Sequence, residues 1–231
     1  MTGSLGWLFA AVLFFIGIHI VPSSVLRGAI TSKIGERAYT GLFSLFSALG
    51  LAWAIWAYSA MPPPETYYWD AGTVGRHIAL VLMAIAFILL VCALTIRNPT
   101  GVGGESVLRQ KDAAYGIIRI TRHPLMWGFG LWGIAHILNN SDPASLVLFG
   151  GMTVLALVGT VLMDAKKRAK LGEDWARFEA QTSNLPFAAI AAGRNRLALG
   201  EIGWWRLAVG LLLYLVVLRY HTTLFGAYPL P

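Results

Sequence analysis

The sequence predicts an all-α, polytopic membrane bundle of about six transmembrane helices, with one amphipathic helix on the cytoplasmic side. Three observations carry this. The 231 residues are 57% hydrophobic and only 13% charged, where a soluble domain of this size carries about 25% charged residues. The mean hydropathy is +0.64. Apolar runs recur near 5–25, 38–60, 77–96, 124–138, 144–163 and 203–220, and all but 124–138 reach the ~17–25 residues that a spanning helix needs. Length alone argues for a single domain over 1–231.

The first run, in "MTGSLGWLFAAVLFFIGIHIVPSS", has no basic residue before it and no small-residue cleavage pattern after it, so it reads as a retained transmembrane helix rather than a signal peptide. Charge orders the loops. Placing 22–37, 97–122 and 164–206 on one side gathers sixteen of the eighteen Lys and Arg residues, Lys111 among them, and leaves Arg76 and Arg219 for the other. By the positive-inside rule those loops are cytoplasmic and both termini lie outside, periplasmic if the bilayer is a bacterial inner membrane. The net charge of +7 is then an orientation signal, and no nucleic-acid partner is expected. Cys92 is the single cysteine, so no internal disulfide can form.

The remaining segments follow from local chemistry. The proline-rich "MPPPETYYWDAGTVG" offers Tyr67, Tyr68 and Trp69 as anchors at the outer interface. Asp112–Arg122 reads as a continuous helix leading into the fourth span, with Pro124 inside that helix or starting a new one. "DAKKRAKLGEDWARFEAQ" spaces Leu171, Trp175 and Phe178 at helical intervals among charges. It reads as an amphipathic helix lying in the cytoplasmic interface.

Ionisable groups inside spans are costly and default to functional candidates. His19 lies in the first span, His77 at the outer start of the third, His123 at the inner start of the fourth and His136 within it; His221 sits near the outer end of the chain. No H-x-x-E-H, C-x-x-C or i,i+4 histidine pair is present, which argues against zinc. Haem asks for axial ligands, an apolar slot and cations near its propionates. Single histidines on separate helices, small residues at Gly128, Gly130 and Gly133, and cations at Arg119 and Arg122 fit that request. The same glycines also suit close helix packing. His123 and His136 stand 13 residues apart, roughly 20 Å along a helix and about 140° around it, so each needs a partner on another helix. Simple depth pairs His19 with His123 and His77 with His136. Arg76 beside His77 suggests a local structural role for that pair.

"IGERAYTGLFSLFSALGL", "GRHIALVLMAIAFILLV", "RITRHPLMWGFGLWGIAHIL" and "DAKKRAKLGEDWARFEAQTSNLPFAAI" resemble the NnrU family of bacterial membrane proteins, over nearly the whole chain. That family is similar to the plant 15-cis-zeta-carotene isomerases, membrane enzymes with a haem b cofactor. The resemblance implies a haem-dependent cis–trans isomerase acting on a lipid-phase polyene, or an accessory of nitrite and nitric oxide reduction working with respiratory partners. It implies His19 and His136 as the iron ligands, with Gly133 standing where the isomerases carry a ligand-switching cysteine. A second resemblance, of "RHP" and its glycine-rich helix, is to isoprenylcysteine carboxyl methyltransferases. There Arg122, His123 and Trp127 would hold S-adenosylmethionine.

Overall fold

The computed structural model describes residues 3–24, 26–101, 103–110 and 112–231, and the side chains of all of these except 22–24. Lys111, one of the sixteen clustered basic residues, lies outside the described residues. The helices are α1 Leu5–Ser24, α2 Arg27–Ile34, α3 Glu36–Ser59, α4 Gly72–Thr95, α5 Pro124–Asn139, α6 Pro143–Ser145, α7 Gly151–Gln181, α8 Ala188–Ala191, α9 Leu199–Ile202 and α10 Trp204–Phe225. A π turn, Leu146–Gly150, joins α6 to α7 without a break.

Four segments are long and apolar enough to cross a membrane: Glu36–Ser59, Gly72–Thr95, Pro143–Gln181 and Trp204–Phe225. The apolar stretch Leu5–Val21 of α1 and the 16-residue α5 are shorter. At about 1.5 Å per residue α5 covers roughly 24 Å, less than the ~30 Å hydrocarbon core.

Local signals set several helix starts. Ser4 Oγ accepts from the Trp7 amide and caps α1. Pro124 occupies the first turn of α5, where its missing N–H has no helical partner to lose. Asp142 accepts from the Ser145 amide and Pro143 follows it, so "SDP" opens α6.

The long helices contact one another in the order α3, α1, α7, α5, α4, α10. The inner members of this series carry small residues at their crossings. A Cβ on Gly128 would sit 3.2 Å from the Ala86 carbonyl of α4, and one on Gly130 would sit 2.9 Å from Leu157 of α7. These glycines let α5 pack tightly between its two neighbours. The terminal members, α3 and α10, turn most of their apolar surface outward.

Two expectations from sequence are corrected at the basic end. Asp112–Arg122 is not a continuous helix: only the 3-10 turns Gly104–Arg109 and Gly116–Arg119 form there. Gly116 has φ 61, a left-handed conformation that a helix cannot contain. The amphipathic helix does exist, as the part of α7 beyond Gly172, where φ 51 and ψ −122 break the helical run. Its apolar stripe does not lie in the interface. Trp175 is 0% exposed, and it packs with Phe178, Ile118, Leu108 and Ile202 of the same chain. The turns 104–122 and α9 cover the stripe before lipid can, and burying one such ring contributes roughly 1.5–3 kcal/mol.

The expected anchors of the far end hold their place. Tyr67, Tyr68 and Trp69 are exposed, and Trp69 Nε1 donates to the Leu138 carbonyl, tying this loop to the end of α5.

Candidate functional site

The densest polar cluster stands where α5 begins, at the basic end. Arg122 donates from Nε and Nη2 to both carboxylate oxygens of Asp164 on α7, at 2.5–3.0 Å, and from Nη2 to Glu179 at 3.2 Å. His123, 2% exposed, donates from Nε2 to Asp164 Oδ1 at 2.7 Å. A carboxylate can only accept, so this fixes the proton on Nε2. Around this core the Arg122 carbonyl accepts from Asn98 and Thr100. Thr121 and Trp127 both donate to the Asn184 carbonyl. The irregular segment before α5 therefore has its backbone satisfied inside the protein, the condition under which non-helical chain is tolerated at membrane depth.

Arg119, three residues earlier, is also buried and bonded on all sides of its guanidinium. It meets both oxygens of Glu201, Asp112 at 2.6 Å and Asn195 at 2.9 Å. The hydrogen bonds from Arg119 hold the Glu201 carboxyl below the ordinary carboxylate range, and Glu201 in turn raises the guanidinium of Arg119. Glu105 is lowered likewise by its hydrogen bond from Lys167. The two arginines expected to face propionates, Arg119 and Arg122, thus already have carboxylates of this chain as partners. In the Arg122, His123 and Trp127 set considered for S-adenosylmethionine, Arg122 Nε and Nη2, His123 Nε2 and Trp127 Nε1 are all bonded to neighbours in the fold.

The other histidines share a different arrangement. Nδ1–H of His19 donates to the Phe15 carbonyl at 2.7 Å, that of His136 to Trp132 at 2.8 Å, and that of His77 to Thr73 at 2.8 Å. A carbonyl only accepts, so in the neutral ring Nε2 keeps its lone pair. A ring pinned through Nδ1 with Nε2 open is the form in which histidine binds a metal. His77 is exposed near the far end and donates to Thr73 rather than pairing with Arg76, whose Nη1 meets the Leu230 carbonyl.

His136 stacks on Phe149 of the π turn, ring centroids 4.6 Å apart, and on Trp132 at 5.0 Å. One turn before it, a Cβ on Gly133 would land on Thr153 Oγ1 and lie 3.1 Å from the Phe149 carbonyl. Gly133 is thereby a contact point of α5 with α7, and a side chain there fits only if Thr153 shifts. His19 sits between Phe15 at 4.3 Å and Phe43 of α3 at 5.2 Å. Phe43 stacks on Tyr39, and the Arg27 guanidinium covers Tyr39 at 4.9 Å.

These rings do not meet. Phe149, the neighbour of His136, shares an apolar cluster with Val12 of α1. Val12 is seven residues from His19, about 10 Å along the helix. His19 and His136 touch different aromatic neighbours. Among the described residues no group of three or more His, Cys, Asp or Glu is placed to hold a metal ion.

Sequence reasoning missed the carboxylates that complete the basic end, Asp164, Glu179 and Glu201, and the aromatic partners Phe43 and Phe149. Asp164 carried a signal: it is an acid at the end of an apolar run, immediately before "AKKR".

The NnrU protein family matches residues 7–229. The 15-cis-zeta-carotene isomerase, chloroplastic, of Arabidopsis thaliana is 30% identical over 189 residues, covering 80% of this chain and 50% of the relative. Its namesake of Zea mays is 37% identical over 186 residues, with the same coverage. The chain thus spans about half the length of these curated relatives. No solved structure matches.

Proposed function

We propose, from the premise that this chain belongs to the NnrU family, that it is a membrane isomerase acting on the cis double bond of a polyene dissolved in the bilayer. The observation that carries this reading is His19: an imidazole at membrane depth, bracketed by Phe15 and Phe43, with Nδ1 pinned and Nε2 open. The relatives named as 15-cis-zeta-carotene isomerases supply the substrate class.

A cis–trans isomerisation moves no atoms between molecules. The protein has to hold one arm of the polyene, let the other rotate, and keep water away. Flat aromatic rings can hold an arm by stacking, and a site reached from the lipid side needs no aqueous channel. His19 serves as a fixed polar contact beside the rotating bond, because its hydrogen bond to Phe15 locks the ring orientation. Haem b belongs to this proposal, and His19 and His136, each held through Nδ1, are the imidazoles that would hold it. When bound there it would supply an iron able to exchange electrons with the polyene.

We place the protein in a bacterial cytoplasmic membrane, with the basic end inside. The test is expression in cells that accumulate 15-cis-zeta-carotene. The expected result is conversion to the isomerised product, lost on His19→Ala; accumulation of unchanged substrate by the wild-type protein overturns the reading. An absorption spectrum of the purified protein, with His19→Ala and His136→Ala, tests the haem separately. A Soret band that both variants leave unchanged removes both residues from it.

A further inference from the structure

At the basic side, where α4 ends and α10 begins, a pocket of about 250 Å³ opens between them. Thr95, Ile96 and Arg97 line it from α4, Arg206 lines it from α10, and Gln110 and Tyr115 line it from the turns between. Both spans pass here from apolar to polar residues, which sets the pocket at the depth of lipid headgroups. Flanking these residues in the chain, Leu94 is 72% and Trp204 81% exposed. An outward indole at this level is the usual anchor of a membrane interface.

Charge sets the pocket apart from the rest of the basic end. Arg119, Arg122 and Lys167 each hold a carboxylate of this chain. Arg206 has only neutral acceptors: Thr95 Oγ1 at 2.8 Å, the Ile202 carbonyl at 2.7 Å and the Thr95 carbonyl at 3.4 Å. A guanidinium carries five N–H groups, so two are left over. Its plane is held over the Trp205 ring at 4.4 Å, which fixes its orientation. Arg97 is exposed, and neither arginine has a carboxylate partner among the described residues. Asp112 also borders the pocket, but its carboxylate is bonded to Arg119 at 2.6 Å. Positive charge is therefore in excess.

A phosphodiester meets this demand, because its oxygens match the guanidinium fork. A zwitterionic headgroup would bring a third cation to the two arginines, whereas an anionic one brings none. Basic pockets between spans are where anionic headgroups bind. A free phosphate would leave Leu94 and Trp204 uncovered, while the glycerol and chains of a lipid can lie along them. We propose that the pocket between α4 and α10 is a site for one anionic phospholipid, with its phosphate between Arg97 and Arg206. It stands independently of the isomerase reading. Because α10 joins the other long helices through α4, this lipid fastens the last span to the bundle.

The test uses the full chain in nanodiscs of phosphatidylglycerol and phosphatidylcholine in equal parts. After exchange into a mild detergent, the lipid retained per protein is counted by mass spectrometry. Phosphatidylglycerol should be retained over phosphatidylcholine. Arg97→Gln should weaken that retention roughly fivefold, the effect of one cation at a membrane surface, and Arg206→Gln at least as much. Arg109→Gln removes the same charge from an exposed position outside the pocket and should leave retention at the wild-type level. Arg97 has no partner to lose among the described residues, so its variant keeps the test alive if Arg206→Gln does not fold. Excess inorganic phosphate should not displace the lipid; if it does, the pocket takes the free ion and the lipid assignment falls. Equal retention of the two lipids overturns the inference, as does an equal loss with Arg109→Gln and Arg97→Gln, since the arginines would then act as general surface charge.

Discussion

The basic end of the bundle and the α1/α3 seam both place polar groups where solvent is scarce, and they treat them in opposite ways. At the basic end Asp164 accepts from both Arg122 and His123, Arg122 reaches Glu179, and Arg119 is enclosed by Glu201, Asp112 and Asn195. Among the described residues, Trp53 Nε1 and Ser47 Oγ in the seam have no partner, and His19 bonds to its own helix. A saturated network fixes structure, because every member depends on the others. A buried group without a partner carries a cost instead. The contrast separates two kinds of polar residue that look alike in the sequence, one bonded across the fold and the other left without a bond across it.

The largest effect should come from removing the shared acceptor of the network. Asp164→Ala leaves the buried His123 N–H without its acceptor and Arg122 with Glu179 as its remaining carboxylate partner, and breaking such an arrangement costs about 3–5 kcal/mol. Thermal unfolding of the detergent-solubilised variant should show a large fall in midpoint or no folded fraction at all. A midpoint close to wild type would mean that the network is not what holds α5 to α7, and the contrast with the seam would lose its structural half.

Next in size is the packing contact between the two regions. Gly133→Cys forces a side chain onto Thr153, and overpacking of this kind costs about 1–3 kcal/mol. Thr153→Ala in the same chain should recover part of the loss, since it removes the atom that is struck. If Gly133→Cys alone is as stable as wild type, α5 and α7 are more loosely joined than the geometry says. The glycine would then say nothing about the room for a thiol at this position.

Much of this architecture was legible in advance, for identifiable reasons. Apolar run length located the long helices because the bilayer imposes its thickness on them. The proline after His123 was read as either starting a helix or sitting inside one, and it starts one; the capping "SDP" went unread. The segment 112–122 was misread because its helical periodicity says nothing of Gly116, whose left-handed backbone turns the chain. The amphipathic stripe of Trp175 and Phe178 was recognised, but amphipathicity alone does not say whether lipid or protein covers the apolar face. The site was less legible. His19, His136 and His123 stood out by composition, whereas the choice between saturated and open histidines depends on which nitrogen faces a carbonyl and which a carboxylate. That is a contact some forty residues away in sequence for His123, which no spacing rule reaches.

A milder way to sharpen the comparison is acid. The Glu201 carboxyl is lowered below its ordinary value of 4.5 mainly by the hydrogen bonds from Arg119. Its contribution to stability is therefore complete above that ordinary value. It declines as pH falls through that value and then through the lower value of the folded state. The unfolding midpoint should drop over this acidic window and stay flat above it. Glu201→Gln should start lower and lose that part of the slope. A wild-type midpoint that rises on acidification would contradict the pairing.

The smallest effect on stability, and the most informative about function, belongs to His19. Its Nε2 has no partner to lose, its Nδ1 bond is to its own helix, and it contributes no ion pair. His19→Gln should cost only about 1 kcal/mol, the size of a lost ring–ring contact with Phe15 and Phe43. His123→Gln, placed in the saturated network, should cost several times more. Activity should rank the two variants the other way. Product formation should vanish with His19→Gln while the protein stays folded, and it should survive His123→Gln in whatever fraction remains folded. If His19→Gln proves as damaging to stability as His123→Gln, then the seam is a second structural network, and its open polar atoms have partners that only folding in the membrane supplies.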